Sequence, residues 1–214
     1  MNDLALDKEV FIRSMGTRGS LGGISRATWS AVKVLDIYGC DYIFIETVGV
    51  GQSEIDIVKM ADTVLMVTTP NTGDDIQAIK AGIMEIADVF AINKSDLDGA
   101  DKTKMEIEMN LDLNEKKDYR APVIKVSAIK NEGIDELVKK LEEHRNYLEN
   151  NNRLEERRTR NNKLQLLKLV ENELMEIIVE RSVKEDLLDN LSKQITLGTI
   201  DPYSAKDKII ELIR

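Results

Sequence analysis

Val89-Phe90-Ala91-Ile92-Asn93-Lys94-Ser95-Asp96 is the stretch on which the reading of this chain turns. Four apolar residues without alternation suit a strand buried on both faces, the habit of parallel sheets. The polar turn after them then lies at a strand's carboxyl end, the edge where open α/β sheets take ligands. Asn-Lys-x-Asp in that place has the chemistry guanine requires. The aspartate accepts from the base's N1–H and exocyclic amine, the asparagine meets the base edge, and the lysine stem packs along the ring. Adenine presents the opposite donor pattern, so a carboxylate discriminates against it. Taken alone, the four residues better suit an ordinary polar turn. The strand before them and a partner motif after them favour the guanine reading.

The partner motif is Val126-Ser127-Ala128, at the end of a strand expected over 123–126. A small Ser-Ala loop there lets a backbone N–H reach the guanine carbonyl oxygen. The alternative is a plain strand-to-helix turn closed by Asn131-Glu132-Gly133. Working back toward the start, 10–13, 42–45 and 63–69 also read as short strands, rich in β-branched or aromatic residues. Helical patterns fall at 25–38, 52–60, 75–85, 103–110 and from 134 onward. The alternation predicts an α/β fold, a partial parallel sheet flanked by helices.

A third segment runs from Ile43 through Phe44 and Ile45 into Glu46, with Gly49 three positions later. This is a Walker-B arrangement with glutamate in place of the more familiar aspartate. A carboxylate at a strand tip can hold Mg²⁺ directly or through its water shell. Gly49 can bring its N–H against a terminal phosphate with no Cβ in the way. Glu46 and Gly49 are therefore the candidate catalytic residues. Gly49-x-Gly51 lacks the third glycine of a dinucleotide fingerprint. The loop Pro70-Asn71-Thr72-Gly73-Asp74-Asp75 suits either an aspartate cap on the next helix or a loop that reports nucleotide state.

No Gly-x-x-x-x-Gly-Lys-Ser/Thr occurs in these 214 residues. Gly16, Gly19, Gly22 and Gly23 precede a helix, but no lysine follows to reach β- and γ-phosphates, so they read as a connector. Without that cradle the expected grip on phosphate is small. The net charge of −9 argues against nucleic acid or an anionic membrane as the main partner. Arg153, Arg157, Arg158 and Arg160 read as a solvated helix face. One cysteine, Cys40, allows no internal disulfide and suits a reducing cytoplasm. No apolar run approaches the roughly 20 residues a bilayer span needs. His144 is the only histidine and has no cysteine nearby, so it reads as structural rather than as a metal ligand.

After residue 145 strand patterns cease. Leu164, Leu167, Val170, Leu174, Ile177 and Ile178 draw an apolar stripe on a long helix. A shorter helix is expected over 183–191, and Asp201-Pro202 reads as the cap and first turn of a terminal one. A stripe this apolar must cover something, either the main domain or another copy of the chain.

These residues together resemble the MeaB/ArgK family, formerly named LAO/AO transport ATPases or kinases. The resemblance rests on the run Glu46-Thr47-Val48-Gly49-Val50-Gly51-Gln52-Ser53-Glu54, on Phe11-Ile12-Arg13 with Gly19-Ser20-Leu21-Gly22-Gly23, on Gly73 to Gly82, and on Asn93-Lys94-Ser95-Asp96. It implies a P-loop GTPase that binds GTP/GDP and Mg²⁺ and chaperones an adenosylcobalamin-dependent acyl-CoA mutase, usually methylmalonyl-CoA mutase. It also implies nucleotide contacts from Asn93, Lys94, Asp96, Ser127 and Ala128, and a partner-facing switch that includes Gln52, Gly73, Asp74, Asp75, Gln77 and Lys80. Residues 1–145 would be the later portion of the GTPase domain and 146–214 a helical arm that forms a homodimer. In the family pattern the P-loop and first switch come before the point where Met1 falls. The expectation is a cytoplasmic chain that shapes a guanine pocket but does not hydrolyse GTP alone. A non-catalytic dimerising module, or one half of a split GTPase, is the alternative.

Overall fold

The computed structural model describes residues 4–16, 26–47, 58–70, 85–113, 118–184 and 186–211. Three strands form one parallel sheet in the order β1 (Leu65–Thr68), β2 (Val89–Ile92), β3 (Val123–Lys125). Leu65 sits opposite Val89 and Thr68 opposite Ile92, while Phe90 pairs with Val123 and Ile92 with Lys125. All four β2 residues are buried, as their unbroken apolar run requires of a strand covered on both faces.

Side-chain alternation along β2 builds two cores. Phe90 and Ile92 join Ala87, Ala121 and Val123 with Ala100 and Ile107 of helix α2 (Ala100–Leu113). On the other face Ala91, Ile124 and Val126 pack with Leu65 and with Ile134 and Leu137 of helix α3 (Ile134–Asn150). A helix on either side of a parallel sheet is the α/β layering expected from the sequence. Earlier in the chain, α1 spans Arg26–Tyr38.

Two expected strands are absent. Residues 10–13 and 42–45 have the right composition but form no ladder. Tyr42 and Phe44 stack with ring centroids 6.4 Å apart, as side chains two residues apart on extended backbone do, yet both rings are largely exposed. A strand is made by its neighbour as much as by its own residues, and neither segment has a partner among the described residues. The helix expected over 103–110 extends to 100–113, and the strands over 63–69 and 123–126 are shorter than expected. The helices expected over 52–60 and 75–85 fall almost wholly outside the described residues.

The chain forms two compact units, Met1–Arg158 and Thr159–Arg214. Helix α4 (Arg153–Lys184) begins in the first and continues in the second. Of its early arginines, Arg153, Arg158 and Arg160 are exposed, as expected of a solvated face, and Arg157 is the exception. Arg157 is only 11% exposed and donates to Asp88 Oδ2 at 2.8 Å. Arg158 pairs with Asp62 at 2.9 Å and Arg153 with Asp118. The same Asp88 oxygen accepts the Val64 N–H at 2.8 Å, so one carboxylate ties α4 to the start of β1. His144 of α3 completes the cluster. It is 2% exposed, with Nδ1 2.8 Å from the Thr63 hydroxyl and Nε2 3.5 Å from Asp88, and its ring tilts against Tyr119. Arg157 folds inward because Asp88, just before β2, supplies a carboxylate there.

In the second unit, α5 (Leu187–Thr196) and α6 (Pro202–Glu211) pack together, burying Leu191 and Ala205. Asp201 caps α6 as expected, accepting the N–H groups of Tyr203 at 2.9 Å and Ser204 at 3.0 Å. The helix expected over 183–191 starts later, because Asp186 takes a left-handed conformation (φ 48) that interrupts the run. Leu164, Leu167, Val170 and Leu174 remain 40–56% exposed. No described helix is long and apolar enough to cross a membrane.

Burial lowers the pKa of His144, with Arg157 pushing the same way and Asp88 opposing. The folded protein thus binds fewer protons here than the unfolded chain. Its contribution is full above the ordinary histidine value and is lost as pH falls below it toward the depressed folded value. Urea unfolding below about pH 6.5 should show stability falling with a slope of up to about 1.4 kcal/mol per pH unit, and His144→Gln should flatten that slope; an equal slope in both proteins contradicts the assignment. Gly133, at φ 73 before α3, has no room for a side chain, since a Cβ would lie 2.2 Å from the Lys125 carbonyl oxygen. Gly133→Ala should destabilise the fold by at least about 1–3 kcal/mol in the same unfolding assay.

Candidate functional site

Two loops meet at the carboxyl ends of β2 and β3, and backbone bonds fix their approach. The Val126 N–H donates to Ile92 O at 2.9 Å, and the Ser95 N–H returns to Val126 O at 3.0 Å. The Asn93 N–H reaches back to Thr68 O at 2.8 Å, tying the first loop to β1 as well. In the second loop, Ser127 and Glu132 exchange both backbone bonds, at 2.9 and 3.1 Å, closing the turn between them. Gly133 then lets the chain pass under the Lys125 carbonyl into α3.

Side chains stitch the loops together. Asn93 Oδ1 accepts the Lys94 N–H at 2.8 Å and the Ala128 N–H at 3.2 Å. Two donors on one oxygen set the amide's orientation, turning its Nδ2 donor side away from them. Asp96 Oδ1 accepts the Ser127 hydroxyl at 2.8 Å, and Lys130 Nζ lies 3.8 Å from Oδ2. The Ser127 hydrogen bond is the main reason the Asp96 carboxyl is held below its ordinary pKa, with its own backbone N–H and Lys130 adding to the effect. Asp96 is therefore an anion at neutral pH, acceptor only on both oxygens.

Lys94 stands at φ 58, a left-handed conformation that is uncommon outside glycine and costs on the order of 1–3 kcal/mol. Its amide bond to Asn93 helps hold it there, and its side chain is exposed at the loop tip. The structure thus brings together Asn93, Asp96, Ser127 and Ala128, with Lys94 at the rim. In this state the Ala128 N–H, expected to reach a base carbonyl, is spent on Asn93. Sequence reasoning missed Lys130. A lysine two residues past a Ser-Ala turn has no spacing signature, and only the closed turn brings it to Asp96.

Glu46 is exposed, and residues 42–45, expected as the strand that leads into it, form no ladder. Its expected companion Gly49 lies outside the described residues, as do Gln52, Gly73, Asp74, Asp75, Gln77 and Lys80. Among the described residues no three His, Cys, Asp or Glu side chains come together as a metal site. Glu46 by itself does not make a magnesium site. The guanine end of a nucleotide fits better, because a doubly accepting carboxylate and an oriented amide are already in place.

The family model described as methylmalonyl Co-A mutase-associated GTPase MeaB matches residues 1–183. The chain is 50% identical to a Pyrococcus abyssi protein described as a GTPase by inference, covering 97% of this chain and 65% of that protein. It is 31% identical to the mouse (Mus musculus) mitochondrial methylmalonic aciduria type A homolog, covering 100% of this chain and 53% of that protein. The crystal structure of an LAO/AO transport system kinase superposes with a TM-score of 0.68 at 26% identity, covering 85% of this chain and 60% of that one. The chain thus spans less than two thirds of the length of each of these proteins. The match over residues 1–183 makes it a member of the MeaB family of methylmalonyl Co-A mutase-associated GTPases.

Proposed function

We propose that this chain supplies the guanine-reading wall of a GTP/GDP site, with Asp96 as the group that selects the base. One observation carries the reading. The Asp96 carboxylate is ionised, buttressed by the Ser127 hydroxyl at 2.8 Å, and set beside an amide that the neighbouring loop has already oriented. A guanine edge would place N1–H and the exocyclic amine on the two carboxylate oxygens. Asn93 Nδ2 would donate to an acceptor on the base edge, and the Lys94 stem would lie along the ring. The Ala128 N–H, in a longer 3.2 Å bond, is the one that could turn to the base carbonyl at least cost. Because these bonds exist before ligand arrives, little side-chain entropy remains to be lost on binding.

In the whole protein this site would belong to a GTPase that chaperones an adenosylcobalamin-dependent acyl-CoA mutase of the methylmalonyl-CoA type. The family description and the methylmalonic aciduria relatives support that partner. GTP or GDP would bring the phosphates and Mg²⁺ to residues around Gly49, with Glu46 nearby in sequence, and the segment holding Gly73, Asp74, Asp75, Gln77 and Lys80 would face the mutase. The exposed Leu164, Leu167, Val170 and Leu174 stripe suits a homodimer contact through the arm.

Asp96→Asn exchanges a two-oxygen acceptor for one oxygen and one donor, which suits xanthine's carbonyl in place of guanine's amine. Equilibrium binding should show guanine nucleotide affinity falling about tenfold or more and xanthine nucleotide affinity rising. Unchanged preference for guanine over xanthine would overturn the role of Asp96.

A further inference from the structure

We propose that Lys130 sets how sharply this site prefers guanine over a base that lacks the exocyclic amine, by competing for one oxygen of Asp96. The inference rests on Asp96 reading the base. The two carboxylate oxygens are not equivalent. Oδ1 holds the Ser127 hydroxyl in a 2.8 Å hydrogen bond made from the buried side of the loop, and Oδ2 faces the Lys130 ammonium at 3.8 Å. Ser127 is only 1% exposed, so water competes poorly for its hydroxyl. Lys130 is 52% exposed and its ammonium keeps access to water, so that contact can open.

The consequence follows from donor counts. Guanine brings two donors, N1–H and the amine, and needs both oxygens. Hypoxanthine brings N1–H alone and can be satisfied on Oδ1, which has a lone pair left after Ser127. Only the base with the amine must share Oδ2 with the ammonium, which draws on that oxygen's charge and weakens it as an acceptor. The cation therefore penalises the cognate base more than its deaminated analogue, and lowers the discrimination that Asp96 would otherwise deliver. At neutral pH the lysine is not needed to keep Asp96 ionised, since the Ser127 bond already favours the anion. Its position is fixed by the turn that carries it. Ser127 and Glu132 close that turn, and Asn131 takes φ 55 within it.

The test uses the full chain and two soluble monophosphates, GMP and IMP, whose phosphates are identical and cancel in the ratio. Lys130→Met should raise GMP affinity about two- to fivefold at low salt, the range of an exposed ion pair, and leave IMP affinity unchanged. The gain should vanish near 0.5 M salt, roughly where the pair is screened, and Lys130→Arg should behave as wild type. Equal gains for both nucleotides, or none for either, overturn the proposal. Carbon-13 titration of the Asp96 carboxyl separates it from the reading beneath it. Lys130→Met should raise that pKa, and an unmoved value overturns the pairing whether or not nucleotide binds. Absence of GMP binding by the wild-type chain would instead overturn base recognition itself, and the role of Lys130 with it.

Discussion

The backbone exchange between β2 and β3 at their carboxyl ends is the constraint on which the site depends. Val126 N–H to Ile92 O and Ser95 N–H to Val126 O hold two loops, some thirty residues apart in sequence, at a single hydrogen-bonding distance. Everything polar in the site is built on that registration. Asn93 can accept from Ala128, and Asp96 from Ser127, only because the strands that carry them are paired up to Ile92 and Lys125, just before the loops begin. The apolar side chains of β2 supply the stability that fixes the registration, with Phe90 and Ile92 committed to one face and Ala91 to the other.

The opposite end of the sheet is secured by different chemistry. Asp88 takes the Val64 amide and the Arg157 guanidinium on one oxygen and faces His144 with the other. A charge pair this poorly exposed stabilises only while every member is satisfied, and losing one partner strands the rest. Helix α3 runs between the two ends, entering beside Gly133 at the loop edge and carrying His144 near the strand starts. One helix therefore touches both the candidate nucleotide site and the anchorage of α4.

Much of this was legible in the sequence where a single segment carries its own reasons. Residues 89–96 announced a doubly covered strand and a polar tip, and Asp201-Pro202 announced a helix start. The elements that failed were those whose reasons lie elsewhere in the chain. Residues 10–13 and 42–45 have strand composition but no ladder partner among the described residues, and period and propensity say nothing about partners. Arg157 reads as a surface charge because Asp88 is 69 residues away and no local pattern connects them, whereas His144, read as structural, is indeed a buried structural residue. Lys130 was invisible for the same reason on a shorter scale, since it reaches Asp96 only through a closed turn.

The central claim is that the paired loops at Asn93 and Ser127 read a guanine edge. Amide chemical-shift mapping on nitrogen-15-labelled protein examines it directly, with GMP and AMP added in parallel. The account predicts that Lys94, Asp96 and Ala128 amides move with GMP and stay still with AMP, because the carboxylate and the oriented amide fit one base and repel the other. Equal movement with both nucleotides, or movement with GMP confined to other parts of the chain, would contradict it.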